Sequence, residues 1–532
     1  MNSTWKKLAV SAMAAMLLFT AAGCGGDKKA DGDRVAAAKD ILRVGVPGFA
    51  DSLDPADRCN SWAVMRYGIG ETLVRFDQKM NPVPWLAESW KMNDDRLTWI
   101  FKISDKAVFS NGNKVTGDAV AKSLLRTFEK SPRAKTMFQY DSIAGEGQNV
   151  IIRTMKPVPT LPGILGDPMF LIVDTSVKDR DYAVKGPVGT GPYVVTSFVK
   201  GKAALAANER YWNGKVSVKK LEISPIDDAN TRALALRKGE IDVAVGVASG
   251  DMALFKDTTK YRISETDSFL DTLALISVRE GKPLADKRIR EALVSSLNRQ
   301  SYCKVLLRDT FIPGGPLMPP SAGYGYDELI KLDKNRYNVE RAKKLLAEAG
   351  WKDTNGDGIV DKGGKSLEIN LIFCSNLAEL PLFAEATRSD AGRIGIRINL
   401  KNVDDNELNK IRATGDYDLL LSDVAAEQAG DPAVFLNMYW KTNRDGCNST
   451  NSSGYSNPKY DELSDRLAVE FDTNKRRQLV IDMQKIILED CAAIIFGHPR
   501  TNIISGTAIV NAEVQPCDYY WVTGDWTSAT MK

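Results

Sequence analysis

Short apolar runs and helical stripes alternate along this chain. Residues 41–46 (ILRVGV) form an apolar run closed by Pro47-Gly48, which predicts a buried strand ending in a turn. Over 97–104 (LTWIFKIS), Leu97, Trp99, Phe101 and Ile103 fall on one face at the period of two expected of a half-buried strand. Asp118 can cap a helix in which Val120, Leu124, Leu125 and Phe128 recur at helical spacing until Ser131-Pro132 stops it. The stretch DDANTRALALRKG predicts a helix closed by Gly239, with a strand over 241–245 after it.

Farther on, Asn338 caps a helix with Ala342, Leu345, Leu346 and Ala349 in register and Gly350 as terminator. Strands over 367–373, 394–400 and 416–421, with a helix near 377–392 among them, predict an α/β lobe with a largely parallel sheet. Asn457-Pro458 starts a helix with Tyr460, Leu463, Leu467 and Phe471 inward, and another helix runs over about 475–489. No internal repeat interrupts this order.

The N-terminus breaks the pattern. Lys6 and Lys7 precede an apolar run over 8–19 and then small residues ending at Cys24, the layout of an export signal. That run is shorter than the roughly 20 residues of a membrane span. Ala21-Ala22-Gly23-Cys24 resembles a bacterial lipobox, with Ala21 where Leu is usual, so Cys24 is expected to carry a lipid anchor to the membrane. Residues 1–23 then read as a lipoprotein signal peptide and 24–40 as a flexible tether, poor in apolar residues, with the remainder outside the cytoplasm.

Composition excludes several functions. With 71 basic and 68 acidic residues, the charge carries no nucleic-acid signature. Beyond Cys24 there remain Cys59, Cys303, Cys374, Cys447, Cys491 and Cys517, an even number that permits disulfides without selecting a pairing, and no CxxC pair suggests a zinc ribbon. The one histidine, His498, sits beside Pro499 and reads as structural. HExxH chemistry is excluded, a Ser/His/Asp triad would have to use His498, and no nucleophile elbow, dinucleotide fingerprint or phosphate loop is present. The chain reads as a non-enzyme with no cofactor.

Two features remain. Aromatic residues cluster at Trp62, Tyr67, Tyr439, Trp440, Tyr519, Tyr520, Trp521 and Trp526, where they serve core packing or line a cleft for a small ligand. The stretch DTNGDGIVDK spaces Asp353, Asn355, Asp357 and Asp361 like the start of a calcium loop. An EF-hand needs a bidentate Glu at position twelve, which here is Gly364, so the segment reads foremost as a turn and hairpin landmark, with a structural Ca2+ as the lesser reading.

An ordered set of stretches resembles the family 5 bacterial extracellular solute-binding proteins of peptide and nickel ABC importers, and more closely their nickel and metal-chelate branch. They are YGIGETLVRFD (67–77), PWLAESWKMNDDRLTWIFKISDKAVFSNG (84–112), GPVGTGPYVV (186–195), NERYWNG (208–214), IDDANTRALALRKGEIDV (226–243), RIREALVSSLNR (288–299), ERAKKLLAEAGW (340–351), DPAVFL (431–436) and YSNPKYDEL (455–463). The resemblance implies an α/β, two-lobed periplasmic-binding-protein clamp, class II-like, with an inserted subdomain and an interlobe ligand cleft. It assigns 41–75, 186–268 and 491–532 to a large lobe, 76–185 to the inserted subdomain and 269–490 to the second lobe.

The resemblance also implies partners: a peptide or small metal chelate, ABC permease subunits, and the membrane through the anchor, on an expected monomer. Candidate ligand-binding residues are Trp62, Met65, Tyr67, Arg133, Glu427, Gln428, Tyr439, Tyr520 and Trp521. In peptide-binding relatives an aspartate four places before the Pro of DP grips the peptide ammonium. Here that place is Gln428, whose neutral amide cannot do so, leaving Glu427 or Asp423 as substitutes. Nickel-type relatives carry Trp and Tyr where this chain has Ala426 and Gly430, and a histidine that is absent, whereas Arg133 occupies about the place of their chelate-pairing arginine. A sensor or chaperone on the same fold, and a secreted hydrolase, are the alternatives.

Overall fold

The computed structural model describes residues 41–528 apart from 49, 58–59, 333–335, 376, 427 and 445–450. The export signal, Cys24, the tether, Cys59, Glu427 and Cys447 lie outside the described residues. Residues Asp40–Lys532 make one compact unit.

Its frame is a mixed sheet whose two halves share one strand, Ala493–Gly506. In the first half Leu42–Val46 runs parallel to both Lys220–Pro225 and Val243–Val245, and Lys202–Ala207 and Tyr193–Val199 extend the edge antiparallel. In the second half Glu368–Phe373 runs parallel to both Arg397–Asn402 and Leu419–Ala425, and Leu270–Ile276 adds antiparallel. The early residues of Ala493–Gly506 pair with Leu270–Ile276, the later ones with Tyr261–Asp267 and Val243–Val245. The strands expected over 367–373, 394–400 and 416–421 do pair in parallel, and the sheet becomes mixed through the added antiparallel strands Leu270–Ile276 and Ala493–Gly506. Parallel neighbours occur where a crossover helix such as Ala229–Arg237 or Glu379–Gly392 returns the chain, whereas strands passing directly between the halves must pair antiparallel.

The alternating residues Trp99, Phe101 and Ile103 build a separate four-stranded antiparallel sheet. They share a core with Leu124, Phe128 and Phe170 beneath the helix Gly117–Lys130. That helix is capped by Thr116, whose Oγ1 accepts from Ala119 N at 3.2 Å, so Asp118 falls in the first turn rather than at the cap, and Leu125 of the expected stripe is exposed. Asn338 and Asn457 cap the helices Val339–Glu348 and Pro458–Val469 as expected, because each side-chain oxygen accepts amides of the first turn.

Apolar burial is distributed accordingly. One core joins Val44, Leu221 and Val243 to Tyr519, Trp521 and Trp526; two others line the faces of the second half-sheet around Leu420 with Trp440, and around Leu371 with Phe383. Cys303 and Cys517 are buried thiols without a disulfide. Among the described residues no helix is long and apolar enough to cross a membrane.

Candidate ligand-binding site

The helix Asn60–Arg66 presents Trp62, Met65 and Arg66, and the segment 517–522 packs back against it, with Val522 N donating to Arg66 O at 2.9 Å. Arg66 lies between two indoles, 4.8 Å from the Trp62 ring centre and 4.3 Å from that of Trp521, and pairs with the buried carboxylate of Asp518. Tyr519 meets the rings of Trp62, Phe269 and Phe76 at 5.2, 5.8 and 6.1 Å. Phe269 belongs to the linker between Tyr261–Asp267 and Leu270–Ile276, and its carbonyl accepts from Ala426 N at 3.0 Å. Tyr519 thus stands where the halves meet. Burial first, then the charges of Asp167 and Asp518, hold its phenol well above the usual range, so it is a neutral donor. Among the described residues, Ser61 Oγ, Trp62 Nε1 and Tyr519 Oη are buried without a hydrogen-bond partner. Buried polar atoms are almost always satisfied, so such a cluster marks a place for polar atoms from elsewhere.

A cavity of about 540 Å³ is lined by Asp54, Ala56 and Asp57 on one wall and by Lys130, Ser131, Pro132 and Arg133 on the other. Arg133 lies just past the helix Gly117–Lys130, which ends because Pro132 cannot continue it. Its Nη2 donates to Asp167 Oδ2 at 3.0 Å, and Asp167 Oδ1 accepts from Met169 N at 2.9 Å. The Asp167 carboxylate is fully buried and the Arg133 side chain is 29% exposed, so one edge of the guanidinium is held and the rest is open. Across the cavity, Arg126 fixes Asp54 with both carboxylate oxygens at 3.0 and 2.8 Å. The walls offer both charge signs.

The other expected ligand residues are dispersed. Tyr67 is in the large core, where burial pushes its phenol up to about 12. Tyr439 is in a core of the second half-sheet, 5.7 Å from Trp440. Met65 and Tyr520 line a separate cavity of about 30 Å³ around Arg75, which stacks 4.5 Å from the Tyr520 ring and 4.2 Å from Trp85. Trp521 and Trp62 both stack on Arg66. Gln428 is in a short turn, Gln428–Gly430, and Glu427 is outside the described residues. Sequence reading missed Asp54, Lys130 and Asp167; for Asp167 the only signal was DP, in which it also caps the short helix Pro168–Phe170.

Buried ionisable groups also occupy the shared strands. His498 Nδ1 and Asp271 Oδ1 are 2.5 Å apart, both side chains fully buried, and burial pushes Asp271 up to about 6 against the opposing pull of His498. His498 is thus one half of a buried pair on the strand common to both lobes, and among the described residues no serine nucleophile donates to it. Asp423 is raised well above the usual range by burial and by Glu379, and accepts from Thr272 Oγ1 at 2.5 Å.

The calcium-like stretch is closed on itself. Asp353 accepts from the amides of Gly356 at 2.7 Å and Gly358 at 3.0 Å, Asn355 from that of Asp357, Asp357 from that of Ile359, and Asp361 from Thr354. These are turn bonds, and they lead into a hairpin in which Asp361–Lys362 pairs with Lys365–Ser366. Among the described residues no three acidic, His or Cys side chains converge as a metal centre would require.

Comparison with known proteins agrees with this architecture. The chain is 25% identical over 519 residues to the nickel-binding protein NikA of Staphylococcus aureus, covering 97% of this chain and 98% of that one. It is also 25% identical over 477 residues to the probable D,D-dipeptide-binding periplasmic protein DdpA of Escherichia coli, covering 86% and 88%. The crystal structure of NikA from Brucella suis in complex with Fe(III)-EDTA superposes with a TM-score of 0.81 at 22% identity, over 92% of this chain and 99% of that one, and so shares the two-lobed clamp fold. The model of bacterial extracellular solute-binding proteins, family 5, matches residues 81–447, more than half of the chain. The chain therefore belongs to the family 5 bacterial extracellular solute-binding proteins.

Proposed function

We propose that this chain is the solute receptor of an ABC importer and that it captures a small carboxylate-bearing ligand, a peptide or a metal chelate, between its lobes for delivery to the permease. Supporting this reading are relatives named for nickel, D,D-dipeptide and glutathione binding. The observation that carries it is Arg133, whose guanidinium is anchored on one edge by Asp167 and open on the other beside the 540 Å³ cavity. A planar fork held in that way accepts a carboxylate without first paying for its own ordering. Lys130, which has no ion-pair partner among the described residues, adds positive charge on the same wall, and the orphaned Tyr519 and Trp62 donors are available to the ligand's other polar atoms. A metal ion entering in this way is cargo and brings its own chelating groups, so a wall without a histidine cluster suffices.

In this reading 41–75, 186–268 and 491–532 form the large lobe, 76–185 the inserted subdomain and 269–490 the second lobe, although 491–496 pack in the cores of the second half-sheet. A monomer tethered by 24–40 to a lipid on Cys24 would hold the clamp beside the permease. Native mass spectrometry of the purified receptor with its carried-over solute tests the reading. An adduct of a peptide or metal chelate, lost in Arg133→Ala, is expected. No adduct, and no thermal shift across di- and tripeptides and nickel with L-histidine, would sink it.

A further inference from the structure

We infer that Gly163, Ala429 and Gly430 form the seam on which the clamp closes, and that these residues, none of which lines the ligand cavity, set how tightly the ligand is held; the inference rests on the capture reading above. Gly163 lies in the short helix Leu161–Ile164, within the core of the small four-stranded sheet. A Cβ there would stand 2.1 Å from the carbonyl oxygen of Ala429, nearer than any real contact. Gly430 makes a second close approach, to another segment: a Cβ would stand 2.5 Å from Met80 O and 2.7 Å from Phe76 Cε1. The two backbones therefore touch with no side chain between them, which only glycine permits.

Ala429 itself belongs, by packing, to the wrong side. It is buried among Leu161, Ile164 and Leu165, whereas Phe435 and Leu436 a few residues later pack in the core of the second half-sheet. It also holds φ at +59°, a left-handed conformation that alanine rarely adopts, and strain of this kind persists only where surrounding contacts impose it. The loop is fixed to its own lobe by the buried Asp431–Arg476 pair. On the opposite side, Asp167, which anchors Arg133 at the cavity, follows Gly163 by four residues. Closing the seam thus carries the turn Gln428–Gly430 onto the unit that carries Arg133. A methyl group at position 163 costs the closed state and leaves the open state alone, so it shifts the population toward open.

The test is hydrogen exchange on the whole receptor, first without any ligand, comparing wild type with Gly163→Ala and Gly430→Ala. Amides 161–165 and 428–432 are expected to exchange about tenfold faster in each variant, with the melting temperature of Gly163→Ala unchanged. Affinity for nickel with L-histidine, or for dialanine, should weaken by about tenfold by the same population shift. Ala429→Gly leaves both contacts in place and should retain at least wild-type protection. Unchanged exchange in both glycine variants would overturn the seam. Faster exchange at the seam in a wild-type background that binds neither probe would leave the seam standing and overturn the capture reading instead.

Discussion

Arg476 offers a sharp test of how the ligand loop is held. Its Nε and Nη2 donate to Asp431 Oδ2 at 3.2 and 2.7 Å, and its Nη1 to the carbonyls of Leu467 and Glu470 at 2.6 and 2.9 Å. Asp431 Oδ1 meanwhile accepts from Ala433 N at 2.8 Å and opens the helix Ala433–Trp440. Arg476→Met keeps an apolar stem but strips the carboxylate of its cation and leaves two carbonyls at the end of Pro458–Val469 without their donor. Removing one partner of a buried pair costs about 3–5 kcal/mol. The side chains are 10% and 12% exposed, which admits some water, so the lower end, about 3 kcal/mol, is expected. Arg476→Lys keeps the charge but not the fork, and should cost about 1–2 kcal/mol. The double variant Arg476→Met with Asp431→Asn removes both charges, and its loss should fall short of the sum of the single losses by about 1 kcal/mol or more. Urea unfolding followed by tryptophan fluorescence reads wild type and each variant, with Asp431→Asn alone completing the cycle. A loss below about 1 kcal/mol in Arg476→Met, or strict additivity in the double variant, would refute the reasoning.

Other expectations follow from the same contacts. Because Asp271 holds its proton to about pH 6 when folded and to 3.8 when unfolded, the unfolded chain releases it first as pH rises, and stability from this group falls between those values by about 3 kcal/mol. Asp271→Asn should flatten that part of the urea-midpoint profile between pH 4 and 7; an identical profile would count against it. Arg133→Ala should weaken nickel with L-histidine by about 10- to 100-fold in calorimetry, and Arg133→Lys should recover only part of the loss, since charge returns without the fork. Calcium and EDTA should leave the melting temperature unchanged while Asp353→Ala lowers it, because that carboxylate already serves Gly356 and Gly358; a calcium-dependent rise would contradict this.

Much of the frame was legible from local pattern. The alternation of Trp99, Phe101 and Ile103, the caps at Asn338 and Asn457 and the self-closing turn at Asp353 depend on neighbours a few residues away, so their bonds can be read from spacing. The site was legible only in part. Arg133, singled out by likeness of position, lines the 540 Å³ cavity, while Tyr67 and Tyr439, equally aromatic on paper, went to cores. An aromatic ring buries well either in a core or on a cleft wall, and composition does not distinguish the two.

By itself the sequence determined a nearly charge-neutral chain of α/β units without a catalytic motif, because these follow from composition and periodicity. Only the tertiary structure decided that Arg133 meets Asp167 across 34 residues, that His498 meets Asp271 across 227, and that Gly163 lies against Ala429. Such meetings are set by how sheets, lobes and loops come together, and nothing in the spacing of either partner encodes the other.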